Sequence, residues 1–326
     1  MPLLLTRDDV VRLLDMRDCI EVVEKAFAEL VSGTAVLPLR IGITPPDGLS
    51  LYMPAYLMQM GALACKVVTV YKNNPTQHKL PTTIGKVLLQ NPATGEVTCI
   101  MDGGYLTAVR TGAVSGVATK YLARTGKGQV AGIVGAGMQA RMQLWAMGTV
   151  RELSRAYVYD VSAAALSAFI WEMSAKLGIE IRSAESPAQI LAESDIVCTA
   201  SSSSTPVFDG SQVRHGTHIN GIGSHSPNAR ELDTDIIRRS KVVADSVEAC
   251  LKEAGDIMIP LQEGAIAPEH IYAELGEIVL GRKPARTNDR EITLFKSNGL
   301  AIQDAAAAKL VYDRARQAGI GQDVAL

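Results

Sequence analysis

The sequence has few cysteines, few aromatic residues and no excess of positive charge, and each shortage excludes a class of protein. The five cysteines are an odd, scattered set without a Cys-x-x-Cys pair or Cys/His cluster, so neither a disulfide framework nor a metal site is predicted. Because 32 Lys and Arg face 34 Asp and Glu, the chain lacks the positive surface that a nucleic-acid or anionic-membrane partner requires. No apolar run approaches the roughly 20 residues of a membrane helix, and the first residues become charged too early for a signal peptide. We therefore expect a cytoplasmic globular protein with neither nucleic acid nor membrane as a partner.

The first 125 residues change from a helical pattern to a strand-and-turn pattern. Thr6 is a candidate N-cap for a first helix, and a second helix is predicted to end at Ser32-Gly33. From Leu37 to Ile100, short apolar runs alternate with Pro/Asn/Gly turns, which predicts an antiparallel or mixed sheet. A small-residue helix is predicted over Ala108–Leu122.

Beyond Gly126-Lys127-Gly128, strands alternate with helices, a pattern that implies parallel pairing in a doubly wound sheet. A long Ala-rich helix is predicted over Gly299–Ala318. The predicted strands are Val130–Val134, Ala156–Tyr159, Ile196–Thr199, His218–Ile222 and Lys241–Ala244. The helices predicted between the first of them are Ala140–Val150, Ala163–Leu177 and Ser186–Ala192.

A G-x-G-x-x-A sequence follows the first of these strands and opens the next helix, which is the context a dinucleotide-binding turn requires. Gly135 permits the tight turn, Gly137 lets the backbone approach a pyrophosphate, and Ala140 lets the helix pack closely on the strand. The helix N-terminus then offers free N–H groups and a positive dipole end to the phosphates. Asp160, 25 residues after Gly135, ends the next strand, and its carboxylate would repel a 2′-phosphate. NAD is therefore favoured over NADP.

Three cations in the first half of the chain are candidates for binding an anion. Lys66 lies inside an apolar strand between Ala64 and Val68 of the same face, so its ammonium either needs an anionic partner or points to solvent. Arg40 and Arg110 either capture a carboxylate or phosphate or form ordinary salt bridges.

Several collinear motifs together resemble the ornithine cyclodeaminase/mu-crystallin family over essentially the whole chain. The resemblance implies a Rossmann-type doubly wound parallel sheet plus an α+β substrate and dimerisation domain formed by the N-terminal part and the C-terminal helix. The implied domains are residues 1–125, 126–298 and 299–326, in a homodimer. The motifs are Leu37-Pro-Leu-Arg40, Met53-Pro-Ala-Tyr56, Lys66 with Asn74-Pro75, Leu80-Pro-Thr82, Thr107-Ala-Val-Arg-Thr-Gly112, Gly135-Ala-Gly-Met-Gln-Ala140, Thr217-His-Ile-Asn220, Arg230-Glu-Leu-Asp233 and Gly299-Leu-Ala-Ile-Gln-Asp304.

The resemblance also assigns roles to residues. Arg40, Lys66 and Arg110 match positions that hold the substrate's carboxylate, Lys66 matches the candidate proton donor, and Asn298 lies beside the substrate. Cofactor-contacting positions match Thr82, Arg110, Gly135, Gly137, Met138, Gln139, Asp160, Thr199, Asn220, Ile222 and Ser297.

One departure separates the chain from the cyclodeaminase branch. That branch has an Asp after a strand-end glycine and a Lys four residues later, whereas this chain has His225 and Ala229. His225 either relays a proton or is an ordinary loop histidine. The leading hypothesis is an NAD(H)-dependent reductase of a small α-imino acid, or of a 2-oxo acid with ammonia. A cyclodeaminase using NAD catalytically and a mu-crystallin-like ketimine reductase or ligand-binding protein are the alternatives.

Overall fold

A computed structural model describes residues 1–325 and contains two large sheets with helices packed on them. The helices are α1 (Arg7–Leu13), α2 (Met16–Val31), α3 (Asn74–Gln77), α4 (Gly103–Leu122), α5 (Met138–Val150), α6 (Ala163–Leu177), α7 (Pro187–Glu193), α8 (Thr234–Arg239), α9 (Val247–Glu253), α10 (Gly255–Gln262), α11 (Leu275–Val279) and α12 (Ala301–Ala318). The strands are β1 (Leu3–Leu5), β2 (Ala35–Val36), β3 (Ile41–Ile43), β4 (Leu49–Leu57), β5 (Ala62–Val70), β6 (Thr83–Gln90), β7 (Val97–Asp102), β8 (Gln129–Val134), β9 (Leu153–Tyr159), β10 (Glu180–Ser183), β11 (Ile196–Thr199), β12 (His218–Gly221), β13 (Ser240–Ala244), β14 (Ile271–Glu274), β15 (Ile292–Lys296) and β16 (Gln322–Asp323).

The chain forms two compact units, and the second is inserted into the first. The first unit comprises Met1–Thr111 and the segment from Leu300 onward, and the second comprises Gly112–Gly299. The division falls inside α4, N-terminal to the predicted boundary between residues 125 and 126.

The sheet of the first unit has the order β16-β1-β7-β6-β5-β4-β2, with β3 also paired to β4. Its pairs are antiparallel except for the parallel pair β1–β7, so the predicted mixed sheet is confirmed. The long helix α12 packs on β4, β5 and β6. The four consecutive alanines Ala305–Ala308 point to successive sides of α12 and are all fully buried, so this turn of the helix is enclosed and its small side chains allow close packing.

The sheet of the second unit is all parallel, with the order β10-β9-β8-β11-β12-β15-β13-β14. Apolar clusters cover both of its faces, which explains the continuous apolar sequence of β8 and β11. The chain runs outward from β8 to β9 and β10, then returns to β11 on the other side of β8. The carboxyl ends of β8 and β11 therefore form the topological switch point, where open α/β sheets bind ligands.

Most predicted elements are present with small changes at their ends. Thr6 caps α1 in a reciprocal capping box with Asp9, and α6 has the predicted bounds. The helix predicted from Ala108 begins at Gly103, and the Ala-rich helix begins at Ala301. The buried central strand β15 and the short helices α8–α11 were not predicted. None of the helices within residues 1–325 combines the length and apolar character that crossing a bilayer requires.

Candidate active site and cofactor-binding face

Lys66 lies on the buried face of β5, between Ala64 and Val68, where alternation along the strand predicts it. Its side chain is only 2% exposed, and its Nζ lies 2.7 Å from Oδ2 of Asp304 on α12. The interpretation that Lys66 points to solvent is therefore wrong, and the buried ammonium has the anionic partner that burial requires.

Arg110 belongs to the same buried cluster. It lies on α4, and its Nε donates to Oδ1 of Asp304 over 2.9 Å, while its Nη1 donates to Oε1 of Gln303. One carboxylate is thus shared by two buried cations, and Gln303 fixes the guanidinium plane.

The electrostatic state of Lys66 follows from these neighbours. Burial is the main cause that lowers the pKa of Lys66 to about 8, and Arg110 and Arg40 lower it further, whereas Asp304 opposes them. Arg40, half-buried before β3, is therefore close enough to act on the Lys66 charge. Two buried cations, Lys66 and Arg110, share the single carboxylate of Asp304, so this cluster carries surplus positive charge and favours a small anion.

The second unit provides a surface at the carboxyl end of β8 that fits a dinucleotide. Gly135 has a φ of +108°, and a Cβ there would lie 2.5 Å from the carbonyl oxygen of Ala200, so only glycine is tolerated. Gly137 is the N-cap of α5 but supplies no side-chain cap, and a Cβ built on it meets nothing within 4 Å. The free N–H groups at the start of α5 thus face open space, as a pyrophosphate site requires.

Other residues of this turn have polar groups arranged around it. Oε1 of Gln139 is buried and has no hydrogen-bond partner among residues 1–325, and Met138 beside it is half exposed. The Asp160 carboxylate accepts hydrogen bonds from Ala136 N over 2.7 Å and Ser162 N over 2.8 Å. Asp160 therefore shapes the glycine-rich turn as well as placing negative charge beside it.

Three more predicted cofactor residues of the second unit lie at the carboxyl ends of β11, β12 and β15. Thr199 and Ser297 are buried there, and Ser297 Oγ donates to Asp245. The side chain of Asn220 is already occupied, since it contacts Thr119 Oγ1 and the ring of His218. A cofactor contact at Asn220 would therefore involve its backbone.

Four further predicted site residues lie in loops. Ile222 is buried directly after β12, and His225 is exposed, with its Nδ1 3.1 Å from the carbonyl oxygen of Gly223. In the first unit, Thr82 lies before β6, and its carbonyl accepts a hydrogen bond from Tyr71 N. Asn298 is held through its N–H by Asp245. Within residues 1–325, no group of three or more His, Cys, Asp or Glu side chains is arranged to hold a metal ion.

The sequence analysis named Gln303 and Asp304 only as part of the motif Gly299–Asp304 and gave neither a role, although Asp304 holds the cationic cluster together. The available signal is an acid in the first turn of an otherwise Ala-rich helix, where a charged side chain needs a partner. Such a residue is a candidate for pairing with an equally isolated Lys66.

The open space at Gly137 gives a test of cofactor binding. The backbone of Gly137 has a φ of −80°, which alanine adopts without strain, so Gly137→Ala should leave the melting temperature unchanged within about 2 °C. The added methyl group occupies space that a pyrophosphate needs, so we expect NADH to bind at least about tenfold more weakly. Fluorescence titration with NADH and thermal unfolding measure the two quantities, and unchanged affinity would contradict this placement.

Three similar proteins match this chain over nearly the whole length of both chains, two of them by structure and one by sequence. The structure of Thermococcus litoralis Delta(1)-pyrroline-2-carboxylate reductase in complex with NADH and L-proline superposes with a TM-score of 0.95 and is 50% identical, covering 99% of this chain and 100% of that one. An archaeal alanine dehydrogenase dimer with bound NAD superposes with a TM-score of 0.94 at 35% identity, covering 100% and 99% of the two chains. The Delta(1)-pyrroline-2-carboxylate reductase of Bacillus cereus is 36% identical over 325 residues, 99% of each chain.

These similarities agree with a comparison at the level of families. The pattern that defines the ornithine cyclodeaminase/mu-crystallin family matches residues 1–319. Both the glycine-rich turn and the cluster of Lys66, Arg110 and Asp304 lie within this range. The chain therefore belongs to the ornithine cyclodeaminase/mu-crystallin family.

Proposed function

We propose that this protein uses NADH to reduce a small cyclic α-imino acid, Δ1-pyrroline-2-carboxylate, to L-proline. The observation that carries the proposal is the buried cluster of Lys66, Arg110 and Asp304, whose surplus positive charge suits one carboxylate beside a proton donor. The 50% identity to a reductase crystallised with NADH and L-proline supports this substrate among other imino acids.

In the proposed mechanism, the chain contributes binding, orientation and one proton. Arg110 and Arg40 hold the substrate's carboxylate, and the Lys66 ammonium protonates the imine nitrogen, so that the imine carbon becomes electrophilic. NADH supplies the hydride chemistry when bound, and the carbon receives the hydride while the nitrogen retains the proton. Lys66 ends the step as a neutral amine, and the Asp304 carboxylate remains paired with Arg110.

The proposal assigns the proton to Lys66 and not to His225. Lys66 is buried in the cationic cluster and has a pKa near 8, whereas His225 is exposed and contacts a backbone carbonyl. His225→Ala should therefore reduce activity far less than a substitution of Lys66.

A substrate panel tests the function. NADH oxidation should be fastest with Δ1-pyrroline-2-carboxylate and slower with the six-membered cyclic imine or with pyruvate plus ammonia. A higher kcat/KM with pyruvate plus ammonia would instead favour an alanine dehydrogenase, the second candidate supported by the archaeal dimer at 35% identity. Proline formation from ornithine would show a cyclodeaminase, and imine binding without turnover would show a ligand-binding protein.

We further propose NAD(H) over NADP(H), because the Asp160 carboxylate lies beside the turn that would receive the adenosine ribose. A 2′-phosphate there would face a negative charge, so NADPH should be used at least about 100-fold less efficiently than NADH. Asp160→Ser should lower the ratio of kcat/KM with NADH to kcat/KM with NADPH. Equal use of both cofactors by the wild-type protein would contradict the assignment.

The same proposal includes a homodimer formed through the first unit. All three residues of β3 are exposed, and Ile41 and Ile43 are 60% and 54% exposed. Within residues 1–325, β3 pairs with β4 alone, which leaves an apolar strand edge of the kind that associates with a second chain.

Introducing positive charge on the exposed edge of β3 tests the proposed dimer. The double variant Ile41→Lys/Ile43→Lys should be a monomer by light scattering, because two ammonium groups would have to be buried in the interface. Trp171→Lys, at a 79% exposed position in the second unit, is the matched control and should stay a dimer. A dimeric double variant would place the interface elsewhere. The cytoplasmic location and the absence of nucleic-acid and membrane partners stay predictions from composition.

A further inference from the structure

A buried glutamate connects two loops at the carboxyl edge of the parallel sheet. Glu231 is fully buried, and its Oε1 accepts hydrogen bonds from both N and Oγ of Ser201, each over 2.6 Å. Its Oε2 accepts one from Gly223 N over 2.7 Å. Ser201 follows β11 and Gly223 follows β12, so a single carboxylate fixes the distance between the two loops.

Glu231 is itself held in place by a second buried carboxylate. Oδ1 of Asp256 accepts hydrogen bonds from Glu231 N over 2.8 Å and from Leu232 N over 2.9 Å. Oδ2 of Asp256 lies 2.8 Å from Nζ of Lys296, and both side chains are fully buried. Lys296 also donates to the carbonyl of Ser224 over 2.6 Å, so the network returns to the loop after β12.

This network borders the glycine-rich turn. The Ala200 carbonyl, adjacent to Ser201, is the group that a Cβ on Gly135 would approach within 2.5 Å, so the loop after β11 packs directly against that turn. Gly223 directly follows Ile222, a predicted cofactor contact. The carboxylate of Glu231 therefore sets the position of two segments that flank the turn expected to receive the pyrophosphate.

We propose that Glu231 is a positioning residue for the dinucleotide, which fixes the loops after β11 and β12 against the glycine-rich turn without touching the cofactor. The inference rests on the proposed use of NADH. Glu231 does more than stabilise the fold, because its three hydrogen bonds all go to the two loops that border the cofactor-binding turn.

Glu231→Gln keeps the shape of the side chain but replaces one of its two acceptor oxygens with an NH2 group, which is a donor. If the new amide turns its oxygen toward Ser201, its NH2 group faces the N–H of Gly223, and two donors oppose each other. In the opposite orientation, the NH2 group faces the donors of Ser201. One loop is therefore released in either orientation, and we expect the Kd for NADH to rise about tenfold or more. KM for NADH should rise with it, whereas KM for the imine should change less, since Arg40, Lys66 and Arg110 are unaltered.

A chemically matched control separates this effect from a loss of stability. Glu29 is also buried, and its carboxylate accepts hydrogen bonds from Gln59 N and Met60 N in the β4–β5 turn of the first unit. Glu29→Gln loses the same kind of contact, and we expect it to lower the melting temperature but to leave the Kd for NADH unchanged.

A second substitution disrupts the contact between Glu231 and Gly223 by changing Gly223 instead of Glu231. A Cβ on Gly223 would lie 2.4 Å from the Glu231 carboxyl group, so Gly223→Ala should weaken NADH binding as Glu231→Gln does. The double variant should then be little worse than either single variant, because both break one contact. Ser201→Ala, which removes one hydroxyl only, should have a smaller effect in the same direction.

Fluorescence titration with NADH, together with thermal unfolding, decides between the outcomes. Affinity in Glu231→Gln equal to that of the wild type and of Glu29→Gln would overturn the positioning role while leaving the proposed function intact. Additive effects of the Glu231 and Gly223 substitutions would also overturn it. Wild-type protein that binds no NADH would instead overturn the proposed function, and this inference with it.

Discussion

Lys66→Met is expected to lower kcat/KM for imine reduction by about a thousandfold, because it removes the proposed general acid and one positive charge of the cluster proposed to bind the substrate. Methionine fills a similar buried volume, and Asp304 keeps its contact with Arg110, so the variant should remain folded. Steady-state NADH oxidation and a circular dichroism spectrum measure the two properties.

The pH dependence gives a sharper test of the same role. Lys66 has a pKa of about 8, so it is protonated and able to donate at neutral pH, and kcat/KM for reduction should fall as the pH rises through about 8. Oxidation of the amino acid needs the neutral amine, so its kcat/KM should rise over the same range. A bound carboxylate raises the pKa of the ammonium, and the limb in kcat should therefore lie at higher pH than the limb in kcat/KM.

The control for Lys66 lies on the neighbouring strand. Lys86 on β6 is mostly exposed and pairs only loosely with Asp102, so Lys86→Met should keep both the wild-type rate and its pH profile. If Lys66→Met retained most of the activity with an unchanged alkaline limb, another group would have to supply the proton.

Asp304→Asn is expected to give the largest loss of stability among these variants. The substitution leaves Lys66 and Arg110 buried without a counter-charge, and breaking a buried ion pair from one side costs roughly 3–5 kcal/mol. For a protein of this size, that corresponds to a fall of about 10 °C in melting temperature. Loss of the proton from Lys66 limits the cost, because a neutral amine tolerates burial.

The same variant should also move the pH profile. Asp304 raises the pKa of Lys66 against burial and the two arginines, so its removal should shift the alkaline limb of kcat/KM below pH 8. Asp304→Glu should move the alkaline limb of kcat/KM part of the way back toward its wild-type pH. Asp313→Asn, an exposed position on the same helix paired with Lys309, is the control and should change neither property. If Asp304→Asn were destabilised but its alkaline limb of kcat/KM stayed at the wild-type pH, Asp304 would have only a structural role.

The glycine-rich turn was predictable from sequence because its signals are local. Within one β-α-β unit, backbone geometry requires glycine at position 135, leaves position 137 open and puts the acid at 160 at a strand end. For Lys66, the alternation along β5 left two interpretations, a buried ammonium with an anionic partner or a side chain in solvent, and the structure shows the first.

The partner of Lys66 was not predictable in the same way. Asp304 is 238 residues further along the chain and reaches Lys66 because α12 packs on β5. Nothing local in either sequence specifies that pairing. The role of Glu231 was hidden for a similar reason, since its partners belong to loops after two different strands. Strand β15 was missed because its short apolar run has no distinct period and ends in the buried Lys296.

The order of synthesis adds a consequence to the insertion of one unit into the other. Residues 112–299 leave the ribosome as a continuous block, so the second unit has its complete sequence while the first still lacks α12. Until residue 304 has been added, the side chains of Lys66 and Arg110 have no carboxylate from α12, and the surface of β4, β5 and β6 that α12 covers stays open to water. The chain therefore completes the second unit, with its glycine-rich turn, before α12 can bring Asp304 to Lys66 and Arg110.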